Sequence, residues 1–193
     1  MAKIRITKEP EERRKEILNA AIKVFSEKGY EKTSITDIAK SIDIAQGLCY
    51  RYFSSKEELF DAALEEYSDI LIGNMMKEFT GQEQNLSEVI NKIATSYECD
   101  TDVHYSLFHG EHNRKLHDQL LLRVCEKLSP VVKKYLQDAV ATNQIEIPDV
   151  AAATSFCVYG QLGILLDRNI LETEKTEKIK SFLKFIKNFI SDF

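Results

Sequence analysis

The chain is poor in the residues that break helices and form turns. Its 193 residues include three prolines, seven glycines and no tryptophan. Because loops and strand-rich folds need frequent turn residues, this composition leaves little room for disordered or strand-rich architecture. Hydrophobic residues make up 44% and charged residues 30%, as in globular proteins. We therefore expect a folded chain of the all-α class.

Long apolar runs are absent as well. No stretch approaches the ~20 consecutive apolar residues of a membrane-spanning helix, and residues 1–5 lack the apolar core of a signal peptide. The expected location is the cytoplasm, with no membrane partner. The chain also exceeds the usual ~100–150 residues of one domain, so one domain with a small domain attached is expected.

Sequence signatures of catalysis and of metal sites are missing. There is no nucleophile elbow, Walker loop, dinucleotide-binding glycine run or paired-carboxylate pattern, so we expect no enzyme and no cofactor. The cysteines are far apart and lack CxxC spacing: Cys49, Cys99, Cys125 and Cys157. Such spacing argues against a zinc ribbon, a redox pair or a disulfide framework. Buried, reduced thiols are the expectation.

Charge is distributed unevenly along the chain, whose net charge is −5. Residues 1–56 carry twelve Lys and Arg against eight Asp and Glu, a balance of +4, whereas the remainder has a balance of −9. Since proteins bind DNA largely through its phosphates, an acidic chain needs a locally basic segment to do so. Any such contact is expected in the N-terminal part.

The N-terminal part shows a series of well-delimited helices. Pro10, with acids around it, begins the first helix, and Gly29 ends it. Ser34 and Asp37 have the spacing of a capping box for a second, short helix. The further signals are a three-residue turn at 43–45, a third helix from about Gln46 to Phe53, and a capping box of Ser55 and Glu58 before a long helix to about Phe79.

This order of helices is the plan of a helix-turn-helix unit, in which the third helix would read DNA. The residues with inward-facing helical spacing are Ala45, Cys49, Tyr52 and Phe53. The residues left to meet the major groove are Gln46, Gly47, Tyr50 and Arg51. A helix that enters the groove needs few long side chains, a small residue for close approach, and donors for phosphates or base edges.

The same segment resembles the TetR/AcrR family of bacterial transcription regulators. The resemblance spans about Arg13 to Phe60 and rests on an ordered set of motifs. These are Ile17-Leu18-Asn19-Ala20-Ala21, Phe25, Gly29-Tyr30, Thr33-Ser34-Ile35, Ile38-Ala39, Gly47 and Tyr50-Arg51-Tyr52-Phe53-Ser54-Ser55-Lys56-Glu57-Glu58-Leu59. It implies a three-helix DNA-binding domain at residues 1–54 and a helical effector-binding and dimerisation domain at residues 55–193.

The resemblance also assigns roles in binding double-stranded operator DNA, position by position. The residues implied to hold phosphates are Thr33, Ser34, Tyr50 and Lys56. The residues implied to face base edges are Thr36, Gln46, Gly47, Leu48 and Arg51.

Three positions depart from the family pattern. Asp43 replaces the usual turn glycine, but aspartate tolerates the left-handed conformation better than most residues. Ala45 deprives the third helix of a polar N-cap. Leu48 stands where a small hydroxyl residue is common, which favours an apolar contact with a thymine methyl group. None of the three departures is expected to prevent the fold.

Helical periodicity continues beyond a linker at residues 80–85. We expect helices over about 87–98 and about 116–128, an end or a kink at Ser129-Pro130, and another helix that closes at Thr142-Asn143. Pro148-Asp149 should open a helix to about Arg168. The last helix should run from about Thr173 to Ile190.

Large side chains spread over these helices could line an effector pocket, which the resemblance implies. A largely apolar or amphipathic small molecule would suit them best. The candidates are Tyr67, Met75, Ile93, Tyr97, Tyr105, Phe108, Phe156 and Tyr159. Ordinary core packing is the alternative explanation for every one of them.

The four histidines lie close together in the sequence. They are His104, His109, His112 and His117. His109 and His112 could share a helix face, but the five-residue steps to the other two scatter the set around the helix. Without an HExxH or CxxC motif we predict no metal site. Surface, capping and ligand-contact roles all remain open.

The last two predicted helices carry small residues and aromatic rings that suit close helix packing. The resemblance implies a four-helix interface between two copies of the chain, a homodimer. The residues predicted to form it are Phe156, Gly160, Gly163, Phe182, Phe185 and Phe189.

Taken together, the sequence favours a sequence-specific DNA-binding regulator, a repressor released from its operator by a small-molecule effector. Two alternatives remain. One is a metal- or redox-responsive regulator, and the other is a helical interaction module whose DNA-reading helix is degenerate.

Overall fold

The computed structural model of the chain describes residues 9–77 and 114–191, apart from the side chains of residues 172, 173, 187 and 189–191. Within these residues all regular secondary structure is helical, as the sequence predicts. The helices are α1 (Pro10–Lys28), α2 (Ile35–Ser41), α3 (Gln46–Tyr52), α4 (Lys56–Lys77), α5 (Arg114–Ala141), α6 (Val150–Tyr159), α7 (Leu162–Leu165) and α8 (Glu172–Ser191). No helix of this described part is long and apolar enough to cross a membrane.

Helix α1 begins and ends where its sequence provides the signals. Pro10 lies in the first turn, where its missing N–H would have no helical partner. Gly29 ends the helix with φ 79°, and its N–H donates to the carbonyl oxygen of Phe25 at 2.8 Å. Glycine suits this position because a positive φ crowds any residue with a Cβ. Both predicted ends are confirmed.

Helix α2 is defined by a complete capping box. The Ser34 Oγ accepts the N–H of Asp37 at 3.1 Å, and the Asp37 Oδ2 accepts the N–H of Ser34 at 3.0 Å. The turn to α3 passes through Asp43, whose φ is 54°. Ala45 then precedes α3 without a side-chain cap. The predicted box, left-handed aspartate and missing N-cap are all confirmed.

Apolar side chains of α1 to α4 form a closely packed core. Its fully buried members are Ile17, Leu18, Ala21, Phe25, Ile38, Cys49 and Leu59. Phe25, Tyr30 and Phe60 add an aromatic cluster, with ring centroids 4.5–5.7 Å apart. Full burial of one such side chain contributes about 1.5–3 kcal/mol. This core fixes the positions of the two short helices against α1.

Helix α5 runs without ending from Arg114 to Ala141, so of the end or kink predicted at Ser129-Pro130 the end is excluded and the kink stays a prediction. Proline removes one backbone N–H, so the carbonyl of Glu126 loses its helical donor. Both Pro130 and Glu126 are exposed, so water can hydrate that carbonyl. Buried residues on both sides, Leu120 and Leu136 among them, hold the helix in place.

The helix predicted from Pro148 to about Arg168 is two helices, α6 and α7. Asp149 caps the first as predicted, its carboxylate accepting the N–H groups of Ala151 and Ala152. The break falls at Gly160-Gln161. Glycine is a poor helix former, and a Cβ at Gly160 would lie 2.5 Å from the carbonyl oxygen of Phe156 and 2.9 Å from the ring of Phe182. The backbone of α6 and the close approach of α8 together favour glycine where the helix breaks.

The described residues fall into two compact units. Residues up to Tyr67 and 114–119 belong to the first unit, and residues 68–77 and 120–191 belong to the second. The second unit has its own core, in which Leu136 of α5 packs with Ile179, Leu183 and Ile186 of α8. Both α4 and α5 begin in the first unit and end in the second. The domain boundary predicted after residue 54 stays a prediction.

Candidate DNA interface

Helix α3 presents a polar face to solvent and an apolar face to the core. The exposed residues are Gln46, Gly47, Tyr50 and Arg51, with 48% of Tyr50 accessible. Cys49 and Phe53 are buried, as the predicted inward face requires. Tyr52 is half-buried, and Ala45 is exposed, so the structure corrects Ala45. Ala45 precedes the first helical turn and is not yet turned towards the core.

The small and apolar positions of α3 leave room for a close approach. A Cβ placed on Gly47 would meet no atom within 4 Å, so the fold itself does not demand glycine there. Leu48 is half-buried beside it. A glycine that packing does not require is consistent with a surface that another molecule approaches.

The position of α3 relative to α2 is set by backbone hydrogen bonds in the turn. The N–H of Asp43 donates to the carbonyl of Lys40 at 3.2 Å, and the N–H of Ile44 donates to the carbonyl of Ala39 at 3.0 Å. The left-handed Asp43 makes this tight reversal possible. The turn therefore orients the recognition helix without help from a capping side chain.

Thr33 lies differently from the sequence prediction. Its side chain is 3% exposed, and its hydroxyl donates to the carbonyl of Gly29 at 2.8 Å. This bond satisfies an orphan carbonyl at the end of α1. Thr33 therefore has a structural role at the α1 to α2 connection, and its predicted contact to phosphate stays a prediction.

Ser34 and Thr36 lie at the start of α2, where Ser34 is exposed and Thr36 is half-buried. Hydrogen bonds from Ser34 and then the Lys28 ammonium, whose Nζ lies 2.9 Å from Oδ1, hold the pKa of Asp37 well below its usual range. Asp37 is therefore a carboxylate at neutral pH. It ties Lys28 of α1 to the N-terminus of α2.

Lys56, predicted to hold a phosphate, is half-buried at the first turn of α4. Its Nζ donates to the carbonyl of Tyr30 at 3.0 Å and lies 4.2 Å from the centroid of the Tyr30 ring. Cation–π contact and hydrogen bond together restrict the long side chain. The ammonium is thereby positioned before any partner arrives.

The corner between α3 and α4 is closed by a variant of the predicted capping box. The Ser55 Oγ accepts the N–H of Glu58 at 3.0 Å, as predicted, but the Glu58 Oε2 accepts the N–H of Ser54 at 2.7 Å. The Ser54 hydroxyl, which also donates to Glu58 Oε2, and then the Ser54 N–H lower the pKa of Glu58. Arg14 of α1 stacks over the Phe53 ring at 5.3 Å. The contacts of Ser54 and Ser55 with Glu58 and the stacking of Arg14 on Phe53 together fix this corner.

The residues predicted to line an effector pocket divide into three groups. Tyr67 is buried and Met75 is half-buried, both on α4. Phe156 and Tyr159 are 53% and 36% exposed on α6, which suits a surface contact better than an enclosed pocket. The candidates that lie outside the described residues are Ile93, Tyr97, Tyr105 and Phe108.

The predicted dimerisation residues are partly at the surface of the single chain. Phe185 is 56% exposed, and Gly163 is exposed with open space around it. Phe182 packs against Phe156 with ring centroids 6.0 Å apart, and Gly160 lies beneath it. The side chain of Phe189 is outside the described part. Phe156, Gly163 and Phe185 therefore leave an apolar surface on the second unit.

The metal and redox alternatives find little support. Among the described residues no group of three or more His, Cys, Asp or Glu side chains could hold a metal ion. His104, His109 and His112 lie outside these residues, and His117 is half-buried beside Asp118. Burial raises the pKa of Cys49 and Cys157 and, with Glu126, that of Cys125 to about 11. Such thiols react slowly.

Two contacts of this region were not predicted from the sequence. Lys115, at the start of α5, lies 4.1 Å from the centroid of the Tyr30 ring, and Arg14 stacks on Phe53. Both join segments that are distant along the chain. No spacing pattern in the sequence could have paired them, because helical periodicity reports only the face of one helix.

Helix α3 is exposed, is joined to α2 by a tight turn and is followed by the long, capped helix α4. This arrangement defines a helix-turn-helix DNA-binding protein. Residues 17–63 match the family model described as bacterial regulatory proteins, tetR family. The fatty acid metabolism regulator protein of Bacillus subtilis (strain 168) is 30% identical over 145 residues, which cover 70% of this chain and 69% of that protein. The chain therefore belongs to the TetR family of transcription regulators.

Other relatives agree with this assignment. The transcriptional repressor KstR2 of Mycolicibacterium smegmatis is 30% identical over 91 residues, or 47% of this chain and 44% of that protein. A TetR-family regulator from Pectobacterium atrosepticum has a TM-score of 0.70 at 17% identity, covering 93% of this chain and 94% of that one. FadR from Bacillus subtilis, solved with stearoyl-CoA, has a TM-score of 0.63 at 19% identity, covering 93% and 98%. The all-helical class and the DNA-binding regulatory function predicted from sequence are confirmed.

Proposed function

We propose that the chain is a homodimeric repressor that binds operator DNA through α3 and releases it when an amphipathic molecule with a long acyl chain binds the second unit. The observation that carries this proposal is the reach of the similarity to the fatty acid metabolism regulator. That similarity covers 145 residues, whereas the family model accounts for residues 17–63 alone. Similarity beyond the DNA-reading segment supports a related effector.

In this proposal the exposed face of α3 reads the operator. Gln46, Leu48 and Arg51, with Thr36 of α2, would face base edges, and Gly47 would allow the backbone to approach. Ser34, Tyr50 and Lys56 would hold phosphates. A bidentate arginine contact to guanine contributes ~1–3 kcal/mol of discrimination, whereas a phosphate contact contributes affinity for any sequence.

A dimer is required by the geometry of DNA. Two recognition helices must stand about 34–36 Å apart to enter successive major grooves on one face of the duplex, which one subunit cannot achieve. The apolar surface of Phe156, Gly163 and Phe185 supports an interface formed by α6, α7 and α8. An isologous contact would bring this same surface of two copies together.

Binding of the effector is proposed to release operator DNA by acting through α4. This helix is continuous over 22 residues, and it carries Lys56 at one end and Met75 near the other. An effector that contacts Met75 in the second unit can shift the equilibrium only by its different affinity for the two arrangements. Operator and effector must then weaken each other's binding by the same factor, typically about 5 to 150-fold.

The test is titration of stearoyl-CoA against the purified protein with and without an operator selected from random duplex DNA. Stearoyl-CoA should lower operator affinity within that range, and coenzyme A without an acyl chain should not. Met75→Glu should weaken stearoyl-CoA binding, because it places a charge beside the acyl chain. Asn74→Glu adds the same charge at an exposed neighbouring position and should leave binding unchanged.

The outcomes separate the parts of the proposal. Equal stearoyl-CoA affinity with and without operator would refute the coupling. Failure of stearoyl-CoA to bind at all would refute the acyl class of effector. A failure of every duplex pool to bind would refute the assigned DNA interface.

A further inference from the structure

The ring of Tyr30 carries two ammonium groups from different helices of the first unit. The Lys56 Nζ lies 4.2 Å from its centroid, and the Lys115 Nζ of α5 lies 4.1 Å from it. Lys115 is exposed and also lies 5.9 Å from the Phe60 ring. Tyr30 is itself held between Phe25 and Phe60. The ring is thus a fixed platform shared by two cations.

Two like charges at this separation repel each other. Since each ammonium lies within 4.2 Å of one centroid, they can be no further apart than about twice that distance. Salt screens charges only beyond about 8–10 Å, so the repulsion is felt. The electron-rich ring face offsets part of it. Burial, then the carboxylates of Glu57, Glu31 and Asp61, raise the pKa of the Tyr30 phenol, which stays neutral.

An anion beside the two lysines would relieve this repulsion further, and a DNA phosphate at Lys56 is such an anion. We infer that Lys115 is a positioning residue for DNA binding: the Tyr30 ring holds its ammonium close to that of Lys56, where it raises the positive potential at the place where the phosphate binds. The inference rests on the proposed phosphate contact of Lys56. If Lys115 acts in this way, the affinity for DNA depends on the position of the first turn of α5, which carries Lys115.

The test measures binding of random-sequence duplex DNA over about 50–200 mM salt, because the salt slope counts the phosphates that a protein neutralises. Lys56→Met should flatten the slope by about one unit. Lys115→Met should weaken binding several-fold and flatten the slope by a smaller amount. Lys115→Arg should restore both quantities, because a guanidinium also stacks on an aromatic ring.

Arg114→Met is the matched control. It removes one positive charge from the adjacent residue, whose guanidinium Nε lies 3.9 Å from the Asp118 carboxylate. It should leave the salt slope near that of the wild type. A melting temperature measured for each variant separates loss of fold from loss of binding, since a purely structural role of Lys115 would lower stability without changing the slope.

A second pair of variants tests the platform. Tyr30→Phe keeps the aromatic ring and should behave as the wild type. Tyr30→Leu removes the ring on which Lys115 stacks. Adding Lys115→Met to Tyr30→Leu should therefore not change the salt slope further. If Lys56→Met leaves the slope unchanged, the proposed phosphate contact fails and the inference with it. If Lys56→Met flattens the slope while Lys115→Met behaves as Arg114→Met, the inference alone is overturned.

Discussion

The two units of the molecule differ in what determines their helix ends. In the first unit most of the described helix ends have a local chemical cause, such as Pro10, Gly29, the Ser34–Asp37 box or the left-handed Asp43. In the second unit α5 continues through Pro130, where a local rule allows an end. Local rules are sufficient where helices are short and capped. Where helices are long, packing overrides them.

The surfaces of the units differ in the same way. The recognition face of the first unit is polar and exposed, which suits a polyanion. The second unit instead exposes Phe156 and Phe185, which suit an apolar partner surface. In the proposed function the first surface contacts DNA, and the second contacts another copy of the chain.

The largest effect should come from the core of the first unit. Ile38→Ala removes a fully buried side chain from α2 and should destabilise this unit by about 2–5 kcal/mol. DNA binding should fail at a lower denaturant concentration than in the wild type, while sedimentation still shows a dimer. Ile42→Ala, at a half-buried position, is the milder control. Loss of the dimer at the same denaturant concentration as DNA binding would show that the two units unfold together.

The next largest effect concerns the apolar surface of the second unit. Phe185→Asp puts a charge where the proposed dimer is dry, and a residue at the centre of an interface contributes about 2 kcal/mol or more. The dimer dissociation constant should rise at least about 30-fold, with a matching loss of operator affinity. Lys184→Asp, an exposed change on the same helix, should leave the dimer intact. An unchanged mass for Phe185→Asp in sedimentation would place the interface elsewhere.

These differences explain how far the sequence alone could predict the structure. The ends of α1, the box of α2 and the turn at Asp43 were predictable because each depends on neighbours within a few residues. The continuation of α5 and the break at Gly160 were not, since they depend on packing against α8, of Leu136 on its buried residues and of Gly160 on Phe182. The same limit applies to the site. The exposed face of α3 was predictable from its spacing, but the burial of Thr33 and the stacking of Lys115 on Tyr30 were not.

A smaller effect sharpens the contrast between two glycines of the second unit. At Gly160 an added Cβ would lie 2.5 Å from the Phe156 carbonyl oxygen and 2.9 Å from the Phe182 ring, whereas at Gly163 it would meet no atom within 4 Å. Gly160→Ala should therefore destabilise by about 1–3 kcal/mol through overpacking. Gly163→Ala should leave the stability of the protomer unchanged or slightly raised, and any loss that it causes should appear in dimer affinity. Equal thermal stability of both variants would contradict the close packing of α8.

The smallest effect on stability compares Gly47 with Gly73. Both lie within helices and have open space around them, so alanine at either position should raise stability by about 0.5–1 kcal/mol. Only Gly47→Ala should lower operator affinity, because Gly47 lies on the face of α3 that approaches DNA in the proposed complex, whereas Gly73 lies near the far end of α4. Chemical denaturation and DNA titration of the two variants measure both quantities. Unchanged operator affinity of Gly47→Ala would exclude close approach of the α3 backbone.

The contacts that build the first unit also bear on the speed of folding. Thr33 bonds to Gly29, Ser34 to Asp37, and Ile44 to Ala39, so these partners are separated by a few residues only. Domains rich in such local contacts fold in microseconds to milliseconds, since little loop entropy is lost before each contact forms. The DNA-reading helices should therefore regain their structure rapidly after local unfolding. Re-formation of the proposed dimer instead requires two chains to meet, so its rate should fall as the protein is diluted.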